Sequence, residues 1–107
     1  MKYVFKNPYW SDKLKAEFLQ RRIIIASIQY YELDGSVISD KDYEELSKQY
    51  LELISDMDIR ELERTQYWYC MKSYDGSTGF DLYESLTQKD KKYLMHIARV
   101  VKSLGGK

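Results

Sequence analysis

The residues best suited to chemistry lie close together in the chain, between positions 30 and 44. Two adjacent aromatic side chains are followed by two carboxylates and a third aromatic ring, and these residues are Tyr30, Tyr31, Asp40, Tyr43 and Glu44. Aromatic faces and carboxylates both stabilise a cationic ring, and one cation–π contact contributes about 0.5–2 kcal/mol. This combination indicates a binding site for a flat, positively charged ligand.

The spacing of these residues follows a longer pattern in the segment from Gln29 to Leu46. The pattern reads Tyr-Tyr or Tyr-His, two residues, then Asp-x-Pro-x-Ile-Ser-Asp-x-Glu-Tyr-Asp. The residues that keep its spacing are Tyr30, Tyr31, Asp34, Ile38, Ser39, Asp40 and Tyr43. Over about residues 19–54 the chain thus resembles the N-terminal helical, Ia-type domain of bacterial NAD-dependent DNA ligases, which binds the nicotinamide mononucleotide (NMN) half of NAD.

The resemblance implies roles for the matched residues. Tyr30 and Tyr31 would offer aromatic surface to the nicotinamide ring or its ribose. Asp40 and Tyr43 would bind the ribose and the carboxamide of the ring. Glu44 stands where the family has aspartate, so its carboxylate reaches one methylene further. The ligand implied is NMN or NAD, and no cofactor is otherwise required.

The chain also departs from the ligase pattern. Ser36 replaces the usual proline, which loosens the turn without abolishing it. The Lys-x-Asp-Gly nucleophile motif is not matched, because the nearest string, Lys72 to Gly76, has one residue too many. With 107 residues there is no room for a nucleotidyltransferase domain. We therefore expect a non-catalytic domain rather than an enzyme.

Two alternatives remain open at this point. In the first, the motif survives only because Tyr30, Ile38, Tyr43 and Leu46 pack a helical hairpin, with Asp40 as a favourable charge at a helix N-terminus. In the second, the chain is a protein-interaction module, of the kind that phages and mobile elements carry as accessory or inhibitor proteins. Its contact surface would be the acidic 31–63 segment or an aromatic set, Trp10, Tyr67, Trp68 and Tyr69.

Composition limits the remaining function classes. The formal net charge is zero, so direct nucleic-acid binding is not expected. Acidic side chains predominate in residues 31–63 and basic ones in residues 1–30 and 87–107, which favours a domain that neutralises itself. No apolar run is long enough to cross a membrane, and the N-terminus lacks a signal-peptide pattern, so we expect a cytoplasmic protein. The lone Cys70 is expected in the core and His96 on a helix surface, with no metal site.

The elements that must position these residues are mainly helical. Apolar periodicity and candidate N-caps at Ser11, Ser39 and Thr87 predict helices near 11–32, 39–55 and 87–104. The bulky run Tyr67 to Met71 suits a strand better, and one short β-hairpin is a candidate for 67–83. We expect a mainly α fold in a single domain, 1–107, with a ligase-like helical hairpin at 11–55 and an aromatic segment plus C-terminal helix at 56–107.

Overall fold

Five helices form the architecture in the computed structural model, which describes residues 9–35, 37–76 and 79–105. In chain order they are α1 Asp12–Glu32, α2 Asp40–Ser55, α3 Ile59–Leu62, α4 Trp68–Met71 and α5 Gln88–Gly105. The fold is mainly α, as expected, and no described residue belongs to a strand. The three long helices coincide closely with the three predicted ones.

The three long helices begin where their capping residues predict. The side-chain oxygens of Ser11, Ser39 and Thr87 each accept a hydrogen bond from the backbone N–H three residues later, at 3.2, 3.1 and 3.2 Å. These bonds satisfy backbone donors that a helix N-terminus otherwise leaves unpaired. The predicted caps are confirmed.

Helix α1 is the central element, with α2 and α5 both packed against it. It is buried on several faces, and four of its side chains are fully inaccessible to solvent: Leu19, Ile23, Ile24 and Ile28. Leu14, by contrast, is 47% exposed. Leu14 lies in the first turn, whereas the buried part of α1 begins at Ala16.

One buried amide ties α1 to the rest of the fold. Gln20 Nε2 donates to the Tyr50 hydroxyl of α2 at 3.2 Å and to Thr65 Oγ1 at 2.8 Å. Its Oε1 accepts a hydrogen bond from the backbone N–H of Tyr67 at 3.2 Å. A fully buried glutamine is thus satisfied by three partners from two different parts of the chain.

The predicted β-hairpin at 67–83 is wrong. Residues Trp68–Met71 form a short helix, and Asp75 and Gly76 lie in a loop with Gly76 at φ +88°. Tyr67, Cys70 and Met71 are spaced i, i+3 and i+4, so one helical turn places all three in the core. Burial of these side chains outweighs the strand preference of the aromatic run.

The C-terminal helix buries less of its apolar periodicity than its pattern suggests. Leu94 and Ala98 are fully buried against α1, and Ile97 is half-buried. Val101 and Leu104, which share the predicted spacing, are 39% and 69% exposed. The core therefore ends about one turn before the helix does.

Further expectations concern Cys70, His96, membrane spans and metal sites. Cys70 is buried as predicted, its Sγ donates to the Leu82 carbonyl at 3.2 Å, and burial raises the pKa of its thiol to about 12. His96 is exposed on α5. Among residues 9–35, 37–76 and 79–105, no helix has the length and apolarity that a membrane span needs, and no set of three or more candidate ligands is placed to hold a metal ion.

Candidate functional site

A cleft of about 280 Å³ lies at the junction of α1 and α2. The last turn of α1 and the first turn of α2 form two of its walls, because the short connection at 33–39 folds the helices back on each other. All five residues selected from the sequence line this cleft, and they are Tyr30, Tyr31, Asp40, Tyr43 and Glu44. The structure therefore brings the whole predicted set together.

Lys102 on α5 holds the connection between α1 and α2 in place. Asp34 and Gly35 take positive φ values, 66° and 138°, which turn the chain sharply. Lys102 Nζ donates to the backbone carbonyls of Leu33 and Gly35, at 2.6 and 2.9 Å. A cation on α5 thus binds carbonyls at the C-terminal end of α1, which has no basic residue in its own last turn.

The aromatic side of the cleft is open to solvent. The rings of Tyr30 and Tyr31 meet edge to face with centroids 4.8 Å apart, and Tyr31 meets Phe80 in the same way at 5.4 Å. Tyr30 is 55% exposed and Tyr31 41%. These tyrosines expose aromatic surface to solvent, and a ligand ring could cover it.

The charged side of the cleft is acidic. Asp40 and Glu44 are exposed and lie one turn apart on α2. No lysine, arginine or histidine is among the described residues that line the cleft. The cleft therefore favours a positively charged group near its two carboxylates.

Tyr43 lies deeper, between the two helices. Its side chain is half-buried, its hydroxyl is 3.3 Å from Ser27 Oγ of α1, and it accepts a hydrogen bond from the Tyr74 hydroxyl at 3.0 Å. These contacts hold the phenol in one orientation. Tyr43 is the best-anchored of the predicted residues.

The sequence analysis missed a third wall. The lining residues outside the predicted set are Ala26, Ser27, Ile38, Ser39, Gly76 and Gly79. The two glycines come from the loop after α4, far outside the ligase-like segment. A β-carbon on Gly79 would lie 2.0 Å from Ser27 Oγ, so only glycine lets the backbone approach this closely. The glycine at position 79 is the signal in the sequence for this close approach.

The packing alternative fits only part of the motif. Leu46 is fully buried, and Ile38 and Tyr43 pack against the core. Tyr30, however, points out of the core and is more than half exposed. Packing thus accounts for the apolar half of the motif and leaves Tyr30, Tyr31 and the two acids as surface groups.

The aromatic residues suggested as a protein-binding patch do not form one surface. Tyr67 is fully buried, which removes it from any interface. Trp10 packs edge to face on Phe18 at 5.4 Å, and Trp68 is half-buried. Tyr69 is 38% exposed, but its hydroxyl donates to Asp90 at 2.5 Å. These aromatics act mainly in packing and local hydrogen bonding.

No direct ion pair neutralises the acidic 31–63 segment among the described residues. Within the described ranges the salt bridges are Lys13–Glu17 and Lys91–Glu84, and neither involves this segment. Glu52, Asp56 and Asp58 are exposed near the end of α2. The expectation that basic ends neutralise the acidic middle is therefore not met by contacts in this part of the chain.

Lys72, the nearest candidate to a ligase-type nucleophile, is exposed and does not line the cleft.

Comparison of the chain with protein-family models, curated proteins and solved structures finds no match to any of them. The resemblance to the ligase domain is therefore a hypothesis that rests on the residues of the cleft and their arrangement.

Proposed function

We propose that this protein is a non-catalytic binding module for a nicotinamide nucleotide, with NMN or the NMN half of NAD as its ligand. The observation that supports this most strongly is the cleft itself. The five residues that the ligase resemblance implies line one cavity, and they include two open aromatic rings and two carboxylates. These are the groups that stabilise a cationic pyridinium ring.

The size of the cleft favours the nicotinamide half alone. Ligand pockets commonly measure about 300–1,000 Å³, so a cavity of about 280 Å³ suits a nucleoside-sized group rather than a dinucleotide. The adenylate end of NAD would extend into solvent. Because the site is open and each charged contact is worth about 1 kcal/mol or less, we expect a dissociation constant on the order of 0.1–1 mM.

A matched pair of substitutions separates ligand binding from the helix-charge alternative. Asp40 and Asp42 both lie in the first turn of α2 and are both exposed, but only Asp40 lines the cleft. Asp40→Asn and Asp42→Asn remove the same charge from the same helix N-terminus, so their effects on stability should be similar.

Isothermal titration with NMN should show about fivefold weaker binding for Asp40→Asn and unchanged binding for Asp42→Asn, since one partly wet charge contact is lost. Adenosine monophosphate should neither bind nor compete. If the wild-type protein binds no NMN at millimolar concentration, or if both variants lose binding equally, the proposal is wrong.

A second candidate function is a protein-interaction module that binds a basic partner. Its support is the exposed acidic surface near Glu52, Asp56 and Asp58, which has no ion-pair partner within the described ranges. A lysine-rich peptide should then shift the amide resonances of these residues at low salt and lose its effect at high salt. The absence of such shifts would eliminate this candidate.

A further inference from the structure

A chain of four hydroxyl groups runs from the cleft into the core. Ser27 Oγ lies 3.3 Å from the Tyr43 hydroxyl, which lies 3.0 Å from the Tyr74 hydroxyl. The Tyr74 hydroxyl in turn lies 2.5 Å from Ser47 Oγ. Ser27 belongs to α1, Tyr43 and Ser47 to α2, and Tyr74 to the loop after α4. The last of these elements lies outside the ligase-like segment.

The direction of the bonds in this hydroxyl chain follows from its Ser27 end. Ser27 Oγ donates to the Ile23 carbonyl at 2.9 Å, and a carbonyl can only accept. Since Ser27 has a single hydroxyl hydrogen, it must accept from Tyr43, so the hydrogen of Tyr43 points to Ser27.

The other half of the chain is fixed in the same way. Tyr74 donates to the Tyr43 hydroxyl, so Ser47 must donate to Tyr74. Burial raises the pKa of Tyr74, which keeps this phenol protonated and able to donate. Each hydroxyl in the chain therefore uses its hydrogen on the next, and the last is used on Ile23.

This arrangement determines what Tyr43 can offer to a ligand. Its only hydrogen is committed to Ser27, so a lone pair is all that remains for the cleft. Asp40 and Glu44, the other polar groups that distinguish the cleft, are acceptors when ionised. A ligand group placed against these three residues must donate hydrogen bonds.

We infer that the hydrogen bond from Tyr43 to Ser27, whose own hydrogen is used on the Ile23 carbonyl, makes Tyr43 a dedicated hydrogen-bond acceptor, so that the cleft selects a carboxamide over a carboxylate on the ligand ring. This inference rests on the proposed function, because it specifies the ligand of the same cleft. A carboxamide brings two N–H donors, whereas a carboxylate brings only acceptors and a negative charge. Ser27 is the positioning residue, and Tyr43 contacts the ligand.

The test compares NMN with nicotinic acid mononucleotide, which differs from it only in having a carboxylate in place of the carboxamide. Titrations followed by amide chemical shifts should show wild-type protein binding NMN about tenfold more tightly, a difference typical of leaving a polar group against the wrong partner. Equal affinity for the two nucleotides would overturn the inference while leaving the proposed function intact.

Substitutions then separate the hydroxyl chain from the two carboxylates as the source of selectivity. Ser27→Ala frees the Tyr43 hydrogen to donate into the cleft, so the preference for NMN should fall to about threefold or less. Tyr74→Phe leaves the Tyr43 hydrogen on Ser27, so the preference should persist. Ser55→Ala is the matched control, because Ser55 also donates to a backbone carbonyl of its own helix but lies away from the cleft.

Three other outcomes of these titrations would overturn or remove the inference. An unchanged preference in Ser27→Ala would assign the selectivity to Asp40 and Glu44 and overturn the inference. A preference that falls in Tyr74→Phe but persists in Ser27→Ala would reverse the direction of the chain and overturn it as well. Failure of wild-type protein to bind either nucleotide would remove the proposed function, and the inference with it.

Discussion

Gly79 lies so close to Ser27 that a β-carbon on the glycine would come within 2.0 Å of Ser27 Oγ. The same carbon would lie 2.8 Å from the Tyr43 hydroxyl. The backbone at position 79 is therefore pressed against the hydrogen bond that joins α1 to α2 beneath the cleft. A contact between residues about fifty positions apart thus determines the shape of the site.

Gly79→Ala should force Ser27 and Tyr43 apart. Overpacking of this kind costs about 1–3 kcal/mol, and we expect a loss of stability in that range together with weaker NMN binding. Urea unfolding measures the first effect and calorimetric titration the second. Ser27→Ala removes the closest of the clashing atoms, so the double variant should be less destabilised than the sum of the two single changes. Strict additivity would show that this contact does not matter.

Lys102→Met should loosen the connection between α1 and α2. Lys102 donates to two carbonyls in that connection, at Leu33 and Gly35, and their loss should lower the free energy of unfolding by about 1–2 kcal/mol. Lys92→Met is the control, because Lys92 is exposed on the same helix and should change stability by no more than about 0.5 kcal/mol. Equal effects in chemical denaturation would contradict the role given to Lys102.

Stability should fall at high pH because of buried tyrosines. Burial, assisted by the negative charge of Asp90, raises the pKa of Tyr67 from the ordinary value of 10.0 to about 12. Between these two values the unfolded chain loses the proton while the folded chain keeps it, so the free energy of unfolding decreases as pH rises through that window. Below about pH 10 both the folded and the unfolded chain keep the Tyr67 proton, so Tyr67 causes no loss of stability there.

Tyr67→Phe should therefore show a shallower decline than wild type in urea unfolding at several pH values above about 9. At neutral pH it should cost little, because the buried Tyr67 hydroxyl has no hydrogen-bond partner among the described residues. Tyr30→Phe, at a site 55% exposed, should keep the wild-type slope. A Tyr67→Phe slope equal to that of wild type would rule out Tyr67 as a source of the pH dependence.

Much of the helical framework could be predicted from the sequence because its signals are local. Ser11, Ser39 and Thr87 cap helices through bonds to residues three positions away, and apolar periodicity follows within the same element. The aromatic run after Tyr67 could not be assigned this way. Its strand preference is also local, but its helical form depends on burial against distant parts of the chain, including the bond from the Tyr67 amide to Gln20.

In the candidate site, too, the residues with a local signal in the sequence were predicted, and those placed by distant parts of the chain were not. The resemblance to the ligase domain predicted five of the site's residues, because the motif that carries this resemblance lies within fifteen positions of the chain: Tyr30, Tyr31, Asp40, Tyr43 and Glu44. Gly76 and Gly79 were not predicted, because their part in the cleft depends on a loop that returns from beyond α4. The hydroxyl chain through Tyr74 could not be predicted from the sequence either, since no spacing rule relates Tyr74 to Ser27.

The phosphate of NMN should contribute nothing to affinity. No cationic side chain is among the described residues lining the cleft, and the nearby carboxylates of Asp40 and Glu44 repel a phosphate. Nicotinamide riboside, which lacks the phosphate, should therefore bind at least as tightly as NMN in a calorimetric titration. An affinity that drops tenfold or more without the phosphate would contradict this prediction.

The central claim is that the cleft between α1 and α2 binds the nicotinamide end of a nucleotide. The most direct measurement is a titration of the isotope-labelled protein with NMN, followed by amide resonances. The amides of Tyr30, Tyr31, Asp40 and Tyr43 should shift together with a dissociation constant on the order of 0.1–1 mM, while adenosine monophosphate leaves them in place. If millimolar NMN shifts none of these four resonances, the cleft is not a nicotinamide site.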